Sequence, residues 1–136
     1  TGVDVMDWVQ NIETLGAGEI LLTSIDKEGT GEGFDIDLIH QVASSVSIPV
    51  IAHGGAGSPS DVADAVNIGC ADAVAVASLF HYGAIAGQAI AGAHDGEGNT
   101  EFLKQNKSFK SFGQDTLEST RQFLISENIS IRRLSL

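Results

Sequence analysis

The clearest chemical signal lies in Ile51-Ala52-His53-Gly54-Gly55-Ala56-Gly57, an apolar run that meets three glycines just before the helix-start pair Ser58-Pro59. It reads as the end of a β-strand turning into a phosphate-binding loop. Glycine has no Cβ to obstruct its N–H and tolerates positive φ, so consecutive glycines can present amides to an anion. A second glycine-rich loop, Lys27 to Gly33, follows another apolar run, and Ser78 closes a third. Gly29, Gly54 and Gly55 therefore offer amides at strand C-terminal ends, and Ser78 offers an amide plus a hydroxyl. His53 sits inside the motif. A lone histidine at a strand end is usually structural, but a protonated imidazole there would add a phosphate contact. His40, His81 and His94 show no metal-ligand spacing with one another or with Cys70, so no metal is expected, and no other cofactor. Cys70, flanked by Gly69 and Ala71 with no basic neighbour, reads as a small buried apolar residue, not a reactive thiol.

The elements that must hold these groups follow from hydrophobic period and caps. Asp4 to Leu15 reads as a helix, with Asp4 as N-cap, Asp7 at the capping-box position, and Val5, Trp8, Val9, Ile12 and Leu15 on its apolar face. Trp8 is expected in the core. Glu19 to Asp26 is too apolar for a half-exposed strand and reads as one buried on both faces of a parallel sheet. Asp35 starts a second helix whose inner side is Leu38, Ile39, Val42, Ala43 and Val46. Pro49 to His53 is the second strand. Ser58, Pro59 and Asp61 supply an N-cap, a proline at the first helical position and a carboxylate near the positive dipole end of a third helix. Ala73 to Ala77 is the third strand. Beyond Ser78, Ala84 to Ala93 reads as a short helix. Asp115 with Glu118 marks the start of a last helix, Thr116 to Ser126, and Ile129 to Leu136 reads as a short strand or extended arm.

Strand, glycine loop and helix recur every 25 to 30 residues or so, the pattern of a parallel βα architecture. A dinucleotide-binding sheet would carry G-x-G-x-x-G after its first strand, and Gly54-Gly55-Ala56-Gly57 lacks that spacing. A (β/α)8 barrel commonly binds phosphate on its last strands' loops. The barrel reading is preferred.

Length and composition set the frame. The 136 residues, 43% hydrophobic, suit one domain with a real core. The net charge is −11, and Lys27 is the only Lys or Arg before residue 100, while Lys104, Lys107, Lys110, Arg121, Arg132 and Arg133 follow. Such a chain is a poor nucleic-acid binder, and any phosphate must be held mainly by amides and helix dipoles. No segment approaches the ~18 apolar residues of a membrane span. The opening Thr1-Gly2-Val3-Asp4 lacks signal-peptide character, and the single cysteine agrees with a reducing compartment, so a cytoplasmic location is expected.

Three blocks together resemble one family. They are Gly16 to Asp26 with Glu28-Gly29-Thr30, Pro49 to Gly57, and Ala71-Asp72-Ala73 running to Ala77-Ser78-Leu79-Phe80-His81. The family is the cyclase subunit of imidazole glycerol phosphate synthase, from histidine biosynthesis. The resemblance covers residues 5 to 83, with a weaker echo over the last helix and Ile129 to Arg132. It implies a half-barrel contributing strands six, seven and eight of a (β/α)8 (TIM) barrel. That barrel takes ammonia from a glutaminase subunit and closes an imidazole ring on a ribulosyl aminoimidazole carboxamide bearing two phosphates. The family's phosphate-binding positions fall on Glu28, Gly29, Gly55, Ala77 and Ser78, with Thr23 and Gly54 beside them. Glu28 is expected to act through its backbone. Glu19, at the opposite strand end, resembles a charged residue ringing the ammonia entrance.

The sequence also departs from the family. Two aspartates, at the ends of the first and fifth strands, serve there as general acid and base. Neither falls within the resembling segment, and Asp26 matches a position without that role, so no catalytic residue is assigned. His53 stands where the family commonly has serine, and residues 84–114 exceed the family's short connection. Residues 1–83 are accordingly read as βα units, and 84–136 as a divergent extension and final helix of the same domain. Three functions remain open: a cyclase segment completed by another half; a related barrel, either a cyclase-like paralogue or a sugar-phosphate isomerase; and a phosphate-binding half-barrel without catalysis. Open edges on three buried strands lead us to expect a homo-oligomer of half-barrels.

Overall fold

The computed structural model describes residues 2–86 and 115–132. Its elements run α1 (Val5–Thr14), β1 (Ile20–Thr23), α2 (Ile36–Ser45), β2 (Val50–His53), α3 (Pro59–Asn67), β3 (Ala73–Ala75), α4 (Ser78–Ala86) and α5 (Leu117–Ser126). The sheet has the order β1-β2-β3, and both pairings are parallel. Each strand is joined to the next through a helix, as parallel neighbours require.

Local chemistry explains most boundaries. The Asp4 carboxylate caps α1 by accepting from the Met6 amide at 2.8 Å. Asp35 caps α2 through the Leu38 amide at 3.1 Å. At α3, Ser58 and Asp61 form a reciprocal capping box ahead of Pro59. The last helix is capped differently from the expectation: Thr116 and Ser119 form the box, not Asp115 and Glu118. A hydroxyl pair one residue further on satisfies the amides of Ser119 and Thr116 instead.

The sheet is two-faced. Ile20, Leu22, Val50 and Ala52 are buried against Val9 of α1, Ile39 and Val42 of α2, Val62 and Ala65 of α3, and Leu124 of α5. The inner side expected for α2 is the side packed here, with Leu38, Ala43 and Val46 at its margin. The other face carries two rungs set by the register, Leu21–Ile51–Ala73 and Thr23–His53–Ala75.

Here the structure corrects the expectation that the first strand is buried on both sides. Leu21 is 60% exposed and Ile25, just past the strand, is 86% exposed. Three strands cannot curl into a closed barrel, and among the described residues no strand opposite covers that face. Trp8 is 51% exposed and not in the core, because Val9 takes the position facing α2 and the sheet. Cys70 is exposed, not buried, and takes φ 60° in the turn after α3, while the adjoining Gly69 packs against Ile39.

The third strand ends at Ala75, and Ser78 begins α4 in place of closing a strand. The helix expected over Ala84 to Ala93 overlaps the end of α4 and otherwise lies outside the described residues, as does most of the 84–114 extension. Ile129 to Arg132 form no strand, and residues 133–136 lie outside the described residues. No described helix is long and apolar enough to cross a membrane.

Candidate functional site

Parallel strands point their C-terminal ends the same way, so the loops after β1, β2 and β3 meet along one rim. The rim encloses a cavity of about 60 Å³. Its lining includes Glu28, Gly29, Gly54, Gly55, Ala77 and Ser78, and His53 as well. All six expected phosphate-site positions, drawn from three separate loops, are thus brought together. The volume exceeds the roughly 10–15 Å³ that admits one water, and it matches a small polyatomic group better than a whole sugar.

The β1–α2 loop is folded by its own hydrogen bonds. The Ser24 carbonyl accepts from the amides of Lys27 at 3.2 Å and Glu28 at 2.9 Å, and the Lys27 carbonyl accepts from the Thr30 hydroxyl at 2.8 Å. The Glu28 amide is therefore committed to a turn, and Glu28 itself is exposed. The loop is tied to the β2–α3 loop where the Gly33 amide donates to the Gly55 carbonyl at 2.9 Å.

Two glycines make this approach possible. A Cβ on Gly55 would overlap the Gly33 carbonyl oxygen, and one on Gly57 would overlap that of Gly31. Gly54 and Gly55 also hold φ of 91° and 111°, values disfavoured for any residue with a Cβ. The motif's glycines serve as a packing device between the two loops, which sequence reasoning missed.

Among the described residues, none accepts a hydrogen bond from the amides of Gly29, Gly31, Gly54, Gly55 or Ala56. Of these residues Gly54, Gly55 and Ala56 are buried; buried amides are nearly always paired, so these three, left without an acceptor there, are suited to an anion. The amides of Gly57 and Ser58 are not part of that supply. They donate to the Asp61 carboxylate at 2.9 and 2.8 Å, so the start of α3 is satisfied internally. Gly31 and Ala56 line the cavity without having been singled out. Their signal was membership of the two glycine loops.

Thr23 and His53 are register partners at the ends of β1 and β2, and the Thr23 Oγ1 to His53 Nδ1 distance is 3.1 Å. His53 is half-buried and lines the cavity, while Thr23 stands behind it. Glu19 lies exposed at the opposite end of β1, away from the rim. Among the described residues no cluster of three or more His, Cys, Asp or Glu is placed to hold a metal ion.

Comparison with known proteins gives three findings. The family profile described as histidine biosynthesis protein matches residues 1–86. Imidazole glycerol phosphate synthase subunit HisF from Dehalococcoides mccartyi, in strains BAV1 and CBDB1, is 57% identical over 83 residues, or 61% of this chain. The chain spans 33% of the length of these curated relatives. Among solved structures, a chain of the Amycolatopsis orientalis BexX/CysO complex is 18% identical with a TM-score of 0.48, over 96% of this chain and 44% of that one.

Proposed function

The chain belongs to the histidine biosynthesis protein family, and from that premise we propose that it is the phosphate-holding part of an imidazole glycerol phosphate synthase cyclase-like barrel. In this reading β1, β2 and β3 correspond to strands six, seven and eight. Residues 1–83 form its βα units, and 84–136 extend the same domain. The ligand is one phosphate of a ribulosyl aminoimidazole carboxamide. The completed barrel would receive ammonia from a glutaminase subunit, with Glu19 at the entrance end.

The observation that supports this best is that Gly29, Gly54 and Gly55, whose amides find no acceptor among the described residues, line one cavity with Ser78. Amides fixed by loop packing need no reorganisation to receive an anion, and the start of α4 adds a favourable dipole. Holding a phosphate remote from the reacting atoms orients the rest of the substrate, a service that can lower a barrier by several kcal/mol, up to about 7–11 in favourable cases. The reading assigns this chain anchoring alone. The acid and base of ring closure are not among its residues.

A second reading, self-association of phosphate-binding half-barrels, is favoured by the open face where Leu21 is 60% exposed. The two are compatible, since a second copy could cover what the rest of a barrel would cover.

Calorimetric titration with ribose 5-phosphate, against ribose as control, tests the site. Ser78 is the first residue of α4, where proline is tolerated, so Ser78→Pro removes both the amide and the hydroxyl without breaking the helix. Affinity for the phosphate ester should fall about tenfold or more. Equal affinity in the variant, or equal binding of ribose, overturns the assignment.

A further inference from the structure

We propose that His53 is the cationic contact of this anion site and sets its selectivity for doubly charged ligands, with Thr23 as the positioning residue that keeps Nε2 a donor. The proposal rests on the phosphate reading above and deepens it.

Amides alone carry no net charge, and the lining drawn from β3 and the start of α4, Ala75 to Ser78, carries no ionisable group. The loop after β1 contributes Glu28, which is repulsive toward an anion. It also contributes Lys27, whose Cβ lies near Gly55 but which is not part of the lining. Among the described residues, His53 is thus the one group in the lining that can become positive.

Thr23 Oγ1 and His53 Nδ1 lie 3.1 Å apart, and either atom can be the donor. In the neutral tautomer protonated on Nε2 the hydroxyl donates to Nδ1, and in the imidazolium Nδ1 donates to the hydroxyl oxygen while Nε2 again carries a proton. With that tautomer as the neutral form, both states offer Nε2–H, and protonation adds a full charge without moving the donor. A serine at position 53 would keep a hydrogen bond but not the charge.

Sulfate is the diagnostic probe, because it stays a dianion across the range in which histidine ordinarily titrates, about pH 5 to 8. Any pH dependence of its binding then belongs to the protein. In the full chain, sulfate affinity should be about tenfold higher in acid, with the ring protonated, than in base, since a hydrogen bond from a charged donor is worth about that much more than a neutral one. The dependence should vanish in His53→Asn, with weak binding retained through the amides, and persist in Glu28→Gln. Thr23→Val should weaken binding several-fold while keeping the dependence. Sulfate binding that is pH-independent in the unmodified chain, or unchanged in slope by His53→Asn, overturns the role of His53 and leaves the amide site standing. Failure of sulfate to bind at every pH overturns both.

Discussion

Gly57 lies against Gly31 so closely that a single added methyl would overlap the Gly31 carbonyl oxygen. The obstacle is backbone and not a flexible side chain, so it cannot swing aside. The two loops that form the cavity are consequently locked to each other before any ligand arrives.

Gly57→Ala should therefore destabilise the fold by about 1–3 kcal/mol, as overpacking of a tight site does. Chemical denaturation checks this, and a midpoint equal to that of the unmodified chain would show that the loops can separate cheaply. Gly29→Ala is the contrasting case. Nothing lies within 4 Å of a Cβ there, and only the φ of 75° opposes it, so about 1 kcal/mol is expected.

Asp61 serves two structural amides, those of Gly57 and Ser58. Asp61→Ala should cost about 1–2 kcal/mol through the lost cap, more than Ser60→Ala, whose side chain is exposed. Parallel thermal melts of the two variants would decide this. Equal melting temperatures would mean that the α3 start is not a stability element.

Glu28→Gln should strengthen phosphate binding a few-fold. Glu28 is part of the cavity lining while its own amide is spent on Ser24, so removing the charge relieves repulsion without deleting a donor. Titration with ribose 5-phosphate at low and high salt tests this, and the gain should shrink as salt screens it. A loss of affinity would place the carboxylate on the side of binding.

Glu13 gives a pH signature far from the site. Its carboxylate accepts from the Ser47 hydroxyl at 2.6 Å and from the Ser47 amide at 2.7 Å. The hydroxyl contact first and the amide second hold its pKa below the ordinary glutamate value, against a smaller opposing effect of desolvation. A carboxylate depressed in the folded state contributes stability above its unfolded pKa, and that contribution disappears as pH falls through the folded value. The melting-temperature gap between the unmodified chain and Glu13→Gln should be widest near neutrality and close in acid. A gap independent of pH would dissociate the contact from ionisation.

Light scattering at micromolar concentration bears on the uncovered face. Leu21 and Ile51 stand on one rung of it, and we expect a species larger than a monomer that shifts toward monomer in Leu21→Lys. A strictly monomeric unmodified chain would remove self-association from consideration.

Much of this was legible in the sequence where local chemistry decides. The Ser58–Asp61 box and the inner side of α2 each follow from short-range patterns, and the convergence of Gly29, Gly54, Gly55 and Ser78 follows from the parallel βα order, which puts every strand's C-terminal end on one rim. What escaped depended on contacts between distant segments. Apolar composition alone did not say that Leu21 would lack a cover, because that depends on how many strands close the sheet. Trp8 lost its expected place to Val9 because one helix face admits only some of its apolar residues. Gly55 and Gly57 announced a close approach without saying whether the approaching group was an anion or, as in the β1–α2 loop, another main chain.

A rim built mainly from amides has a consequence for how such a site can diverge. Main-chain donors survive almost any exchange of neighbouring side chains, so the proposed hold on a phosphate would be insulated from drift at positions such as Ala56 and Ala77. Gly55 and Gly57, by contrast, are frozen by sterics. A site of that kind would leave evolution free to revise the ligand's wider shape and the charge at position 53 while the anchor is inherited intact.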